Sequence, residues 1–179
     1  MNDEVGTVEP DVQSVLSRTP SILRALIEGA PAAAIDFHEQ AGAWSAKQVL
    51  CHVCEGEITD WIPRIEIILA PDGSKAFSPF DREGGFVRYA GWSVSALLDE
   101  FERLRKTNLA RLAGMKLSAT DLERTGEHPD LGVVTLAQLL ACWATHDLAH
   151  IEQITRGFVR HWGPDVGPWR KYYRLLADL

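Results

Sequence analysis

Apolar residues recur along this chain at the three- and four-residue spacing of helices, not at the alternation of strands. Ile22, Leu23, Leu26 and Ile27 follow Thr19-Pro20, which reads as a helix start with the hydroxyl as cap and proline at the first position. Gly29 and Pro31 stop that pattern, and a shorter helical turn is expected ahead of it, around Val12 to Leu16. The second helix has the clearest beginning. Ser45-Ala46-Lys47-Gln48 fits a capping box, in which Ser and Gln satisfy each other's backbone donors, with Trp44 and Val49 as the flanking hydrophobic staple. Its apolar positions continue through Leu50, Val53, Ile58, Ile62, Ile65 and Leu69. Pro63 falls inside this stretch and predicts a kink or break near Thr59 to Pro63, before Pro71-Asp72-Gly73 ends it.

Residues 71–92 hold four glycines and two prolines with little periodicity, so they form a long connection of the kind that rims a pocket. A third helix starts near Ser93, carries Leu97, Leu98, Phe101, Leu104, Leu109 and Leu112, and is expected to end at Gly114. A second long loop spans Lys116 to Val134. Thr135 and Gln138 then repeat the capping box, with Val134 and Leu139 as staple, and open a helix to about Phe158. The tail from Trp169 to Leu179 is a short amphipathic segment, and only brief apolar pairs such as Val133-Val134 resemble a strand. The fold class is therefore all-α, a four-helix bundle with long inter-helix loops. It forms a single domain over residues 1–179, with residues 1–10 expected to be disordered.

Composition narrows the function. Eighteen Lys and Arg against twenty-five Asp and Glu give a net charge of −7, and no basic run is longer than Arg170-Lys171. A nucleic-acid partner is not expected, because such binders draw most of their affinity from phosphate neutralisation. No apolar stretch has the length of a membrane span, and Met1 to Pro10 lacks the regions of a signal peptide, so a cytoplasmic location is expected.

The candidate chemistry lies in histidines. His146 and His150 are four residues apart on a strongly apolar helix, separated by only about 40° around its axis. Two imidazoles among Leu139, Leu140, Trp143, Ile151 and Ile154 need partners, and a metal satisfies one nitrogen of each ring. His52, about two turns into the other well-capped helix, can face the pair across a bundle. Three histidines with open positions left for water or substrate form the pattern of a catalytic metal site. Glu55 shares a face with His52 and is the candidate proton-transfer group. Gln153, three residues after His150, is a candidate partner for a ligand ring or a water.

Other features read more plainly. His146-Asp147-Leu148-Ala149-His150 differs from the zinc-protease motif by Asp for Glu and has no clear downstream ligand, so Asp147 is taken as a supporting or surface residue. Cys51 and Cys54 lie inside a helix, away from the dipole that activates a thiol, and are expected to be small core residues, as is Cys142. His128 could overhang the pocket, though exposure to water is the simpler expectation, and Trp44 and Trp143 read as core aromatics. His38 and His161 have no supporting context.

Trp44-Ser45 with His52, Phe77 to Asp81, His128-Pro129-Asp130-Leu131-Gly132, and Trp143, His146-Asp147, His150, Gln153 and Arg156 together resemble the DinB/YfiT-like superfamily. Gly167-Pro168-Trp169-Arg170 with Tyr172 and Leu175 extends the resemblance, which covers residues 20–176. It implies a four-helix bundle, often a homodimer, with one divalent metal ion on His52, His146 and His150; three imidazoles suit zinc or nickel. Members with known activity include transferases and an isomerase that use low-molecular-weight thiols. The expected function is accordingly a metal-dependent small-thiol S-transferase acting on a small-molecule substrate. The alternatives are a metal-dependent hydrolase and a non-catalytic, metal-stabilised stress or binding module.

Overall fold

The computed structural model describes residues 8–71 and 75–176. Two short helices, α1 (Val8–Leu16) and α2 (Thr19–Ile27), come first. Thr19 is not the cap expected of it. It is already helical and buried, and its hydroxyl donates to the Val15 carbonyl at 3.3 Å, tying α2 back to α1. Of the stretch expected to be disordered, residues 1–7 lie outside the described residues and 8–10 already belong to α1.

After the single turn of α3 (Ala32–Ile35), the chain enters α4 (Ala46–Thr59) through the capping box that Ser45 and Gln48 form. Gln48 N donates to Ser45 Oγ at 3.4 Å and Ser45 N donates to Gln48 Oε1 at 3.0 Å. The helix breaks at Asp60 and resumes as α5 (Trp61–Leu69). Pro63 sits in the first turn of α5, where a missing N–H leaves no intrahelical bond unmade.

The first long connection folds into α6 (Gly84–Arg88) before α7 (Val94–Met115), whose cap is Ser93 accepting from Ala96 N at 3.1 Å. Gly114 does not stop α7; the left-handed conformation that closes it falls on Lys116, at φ 49°. The second connection contains α8 (Ala119–Leu122) and an unexpected antiparallel hairpin, β1 (Thr125–His128) with β2 (Gly132–Thr135). Gly132, at φ +72°, supplies the backbone conformation that re-enters the sheet after Pro129-Asp130-Leu131. Helix α9 (Leu136–Trp162) opens on the Thr135–Gln138 capping box and passes beyond Phe158; two 3-10 helices, Gly163–Tyr172 and Arg174–Leu176, then carry the tail. Asp72 and Gly73, and the last three residues of the tail, lie outside the described residues.

The bundle is thus α1–α2, α4–α5, α7 and α9. Helix α4 packs on α7 and α9, α1 on α9, and α2 on α7. Leu50, Ile62, Phe101, Leu140 and Trp143 are fully buried between them. A cluster of charges is buried with them. Arg105 of α7, 1% exposed, donates to Glu57 of α4 at 2.8 Å and to Asp147 of α9 at 2.6 Å, and also to the Leu16 carbonyl at 2.9 Å. Helices α4 and α9 are therefore held in fixed relation by a guanidinium from a third helix.

Both connections lie over one end of the α4–α9 seam. Glu127 N of β1 donates to the Lys75 carbonyl at 2.7 Å, and Phe77 N donates to the Glu127 carbonyl at 2.8 Å, so the two loops are joined. Helix α6 lies so close to α4 that a Cβ at Gly85 would stand 2.3 Å from the Cys51 carbonyl oxygen. That approach fixes the turn before α6 against the helix that carries His52. Among the described residues, no helix is long and apolar enough to cross a membrane.

Candidate metal centre

His52 comes from α4, and His146 and His150 come from successive turns of α9. All three rings meet. His146 Nε2 lies 3.0 Å from His52 Nε2 and 3.1 Å from His150 Nε2, and the nitrogens that the three rings offer all fall within 4.8 Å of one another. Bonds of about 2.1 Å to a shared ion place neighbouring ligand nitrogens about 3.0 to 3.4 Å apart, and the spacing around His146 fits that range.

The outer nitrogens explain which face each ring offers. His52 Nδ1–H donates to the Arg82 carbonyl at 2.9 Å, and His150 Nδ1–H donates to Gln153 Oε1 at 2.8 Å. With hydrogen committed to Nδ1, each Nε2 presents a lone pair to the same point. His146 Nε2 stands between them and can give a proton to only one of the two. His146 Nδ1 is buried and has no hydrogen-bond partner among the described residues. Such crowding of nitrogens without enough hydrogens is costly in a buried place, and a cation among them removes the conflict. The residues present therefore fit a divalent ion.

Burial and mutual repulsion keep the rings neutral. His146 is pushed down to about 2, first by burial and then by His150 and His52. His52 falls to about 4, again first by burial, with the Arg82 carbonyl working the other way. His150 is lowered as well, burial outweighing the hydrogen bond to Gln153. Neutral imidazoles at physiological pH are what metal ligation requires. Tryptophans pack the rings in place: Trp44 lies 4.8 Å from His52 by centroid and stacks on His150 at 6.4 Å, and Trp61 meets His146 edge-on at 5.1 Å.

The three histidines line a cavity of about 560 Å³. Its walls are largely apolar, from Trp61, Phe77, Phe80 and Leu139, with the hairpin residues Val133 and Val134 along one side. Polar groups face it at few points. Asp60, at the break between α4 and α5, has Oδ1 2.7 Å from Arg64 Nε, a charge contact without hydrogen-bond geometry. Burial raises the Asp60 carboxyl above its ordinary range, although Arg64 and His128 act to lower it. His128 lines the cavity too, so it does overhang the site. Its Nδ1 accepts from Asp130 N at 3.1 Å and Leu131 N at 3.3 Å, which leaves the hydrogen on Nε2.

Several expectations need correction. Glu55 does not join the histidines. Its carboxylate is taken by Arg88 of α6, at 2.6 and 3.2 Å, because α6 is seated on that face of α4. Gln153 does reach the His150 ring, where its Oε1 fixes the tautomer. Asp147 is neither at the surface nor against the rings, since Arg105 holds both of its oxygens. Cys51 and Cys54 are buried as expected, but Cys142 is exposed and lines the cavity, one turn before His146 on the same helical face. Trp143 is a core aromatic whose Nε1 donates to Glu57 at 3.1 Å, while Trp44 is only half-buried and flanks His52 and His150. His38 and His161 lie away from the cavity, His38 bonded to the Ala43 carbonyl and His161 packed on Phe37. Asp60, Arg64 and Arg82 were missed; the break at Asp60 and the four-residue spacing from Asp60 to Arg64 were the available signals.

A protein of Oceanobacillus iheyensis named "Putative metal-dependent hydrolase" is 25% identical over 122 residues, 68% of this chain and 69% of that one. A relative of the same description from Bacillus cereus is 28% identical over 122 residues, 68% of each chain. The solved structure of YfiT from Bacillus subtilis, described as having an unusual four-helix bundle topology, superposes with a TM-score of 0.72 at 21% identity. It covers 91% of this chain and 93% of that one, and the likeness is one of fold. Residues 16–154, which include all three histidines, match the DinB superfamily, and this chain belongs to that superfamily.

Proposed function

We propose that this protein is a metal-dependent hydrolase of a small molecule. The observation that carries the reading is the meeting of three Nε2 atoms, 3.0 and 3.1 Å from the central one, in the wall of a 560 Å³ cavity. Three protein ligands leave coordination positions open toward that cavity, as in catalytic sites and unlike closed structural ones. The names carried by the relatives in Oceanobacillus and Bacillus support hydrolysis. A divalent ion held there supplies Lewis acidity and lowers the pKa of a bound nucleophile.

The protein's own part is to hold and orient. The Arg82 carbonyl and Gln153 keep the His52 and His150 lone pairs turned inward. The apolar walls exclude water from the substrate's body. Asp60, which lines the same cavity and whose carboxyl is raised by burial, is the candidate to take the proton of the nucleophile. His128 Nε2–H is a donor for a substrate oxygen. The ion in this reading is zinc or nickel, the substrate a small molecule and not nucleic acid, and the working unit a cytoplasmic homodimer. Transfer of a low-molecular-weight thiol would use the same centre, and the cavity has room for a second small reactant. No lining residue selects a thiol, so water is placed first.

The test is turnover by wild type, metal-stripped wild type and His146→Ala on a panel of small esters and amides, and separately on a model electrophile with a bacterial thiol. Hydrolysis lost on stripping, restored by added metal and absent from His146→Ala is the expected result. Equal turnover by loaded and stripped protein would contradict the reading, and metal-dependent turnover only in the thiol arm would replace hydrolysis by transfer.

A further inference from the structure

The cavity carries an imbalance of charge that the metal ligands do not explain. Asp60 is the sole carboxylate among its described lining residues, and Arg64 stands against it. Arg82 lines the same cavity and also two smaller adjoining ones, of about 350 and 250 Å³. Among the described residues its guanidinium has no hydrogen-bond or ion-pair partner; it lies over the Trp44 ring at 5.3 Å from the centroid. Trp44 in turn packs on His52 and His150. Arg82 stands beside the centre, because its main-chain carbonyl accepts from His52 Nδ1 at 2.9 Å. In a chain of net charge −7, an unmatched cation is therefore held on an aromatic face at the mouth of an apolar cavity. A bound divalent ion would make the cavity more positive still.

We propose that Arg82 anchors the carboxylate of the substrate, which is a small organic anion with an aromatic or branched apolar body. The body rests against Trp61, Phe77 and Leu139, and the reacting group points toward the three histidines. One planar guanidinium matches one carboxylate in a paired hydrogen bond. The cavity volume is in the range that encloses a ligand of this size. The proposal rests on reading the cavity as a substrate site, and its test separates the two.

The probe is 4-fluorophenylacetate, compared with its neutral amide by fluorine NMR titration of the full chain. Metal-loaded and metal-stripped wild type, Arg82→Gln and Arg82→Lys are measured together. The Arg82 main-chain carbonyl still holds His52 in both variants, and unchanged metal content confirms it. Wild type should bind the acid about tenfold more tightly than the amide, as a charge-assisted pair implies. Arg82→Gln should lose that preference and leave amide binding unchanged, Arg82→Lys should keep part of it, and stripping the metal should not abolish it. Equal binding of acid and amide by wild type, equal acid binding by wild type and Arg82→Gln, or no acid binding at all would overturn the proposal. Acid binding that vanishes with the metal and ignores Arg82 would assign the anion to the ion, leaving the metal site standing. Preference that depends on Arg82 in a protein that takes up no metal would sustain the anchor and sink the hydrolase.

Discussion

Two polar clusters are buried between α4 and α9, and they differ in one respect. Around Arg105 every strong group is matched: Glu57 and Asp147 receive its donors, Asn108 donates to Glu57 at 3.0 Å, and Trp143 adds a fourth contact. Burial works to lower the pKa of Arg105, and Glu57 and Asp147 outweigh it, leaving the guanidinium more firmly charged than usual. At Glu57 burial dominates instead and raises the carboxyl in spite of Arg105. Around His146 the groups are not matched. Lone pairs converge, one nitrogen has no partner among the described residues, and the cluster opens to a cavity. A saturated network fixes helices; an unsaturated one that faces a cavity is built for a ligand.

The largest effect is expected where saturation is broken. Arg105→Ala leaves two carboxylates buried without their cation, and should cost about 3–5 kcal/mol in denaturant unfolding. A loss below about 1 kcal/mol would mean that the clamp does not hold the bundle. Gln153→Ala acts on the other cluster. By freeing the His150 tautomer it should weaken metal affinity about 10- to 100-fold by competition with a chelator, while the apo protein unfolds almost as wild type does.

A third contrast uses pH. In metal-free protein, imidazole resonances of His52 should remain those of a neutral ring until pH nears 4, and those of His146 until about 2. Unfolded chains take up these protons near 6.5, so each ring's contribution to stability is complete above that value and declines as pH falls toward its folded pKa. The decline approaches about 1.4 kcal/mol per pH unit per ring. Glu57 and Asp60, with raised carboxyls, oppose it, so the ring resonances are the cleaner readout. Titration of His52 near 6.5 would show that water reaches the cluster and that burial does not keep its rings neutral. The smallest effect belongs to Glu55→Gln. Its partner Arg88 is nearly half exposed, so the change should cost about 1 kcal/mol or less and leave metal content unaltered. Loss of metal from that variant would return Glu55 to the centre.

The histidine centre was legible because its signals are local. Two capping boxes set the starts of α4 and α9, and an apolar helix with His146 and His150 one turn apart leaves little choice of face. The saturated cluster was not legible, since Glu57, Arg105 and Asp147 lie on three helices and no spacing within one segment relates them. Glu55 was misplaced for a similar reason: its face of α4 is chosen by α6, whose approach depends on Gly85. The hairpin left a trace in His128-Pro129-Asp130-Leu131-Gly132, but Thr125 to His128 lacks the apolar alternation that marks a strand. Asp60 and Arg64 are one helical turn apart, a spacing legible in the sequence, whereas Arg82 reaches the same cavity only when the first long connection folds over the seam.

The central claim is that three imidazoles share one ion, and metal content tests it most directly. Protein purified without chelator should carry one divalent ion per chain, and His146→Ala prepared alongside should carry essentially none while keeping its helical spectrum. Equal metal in both proteins, or none in either after zinc or nickel is offered, would contradict the account.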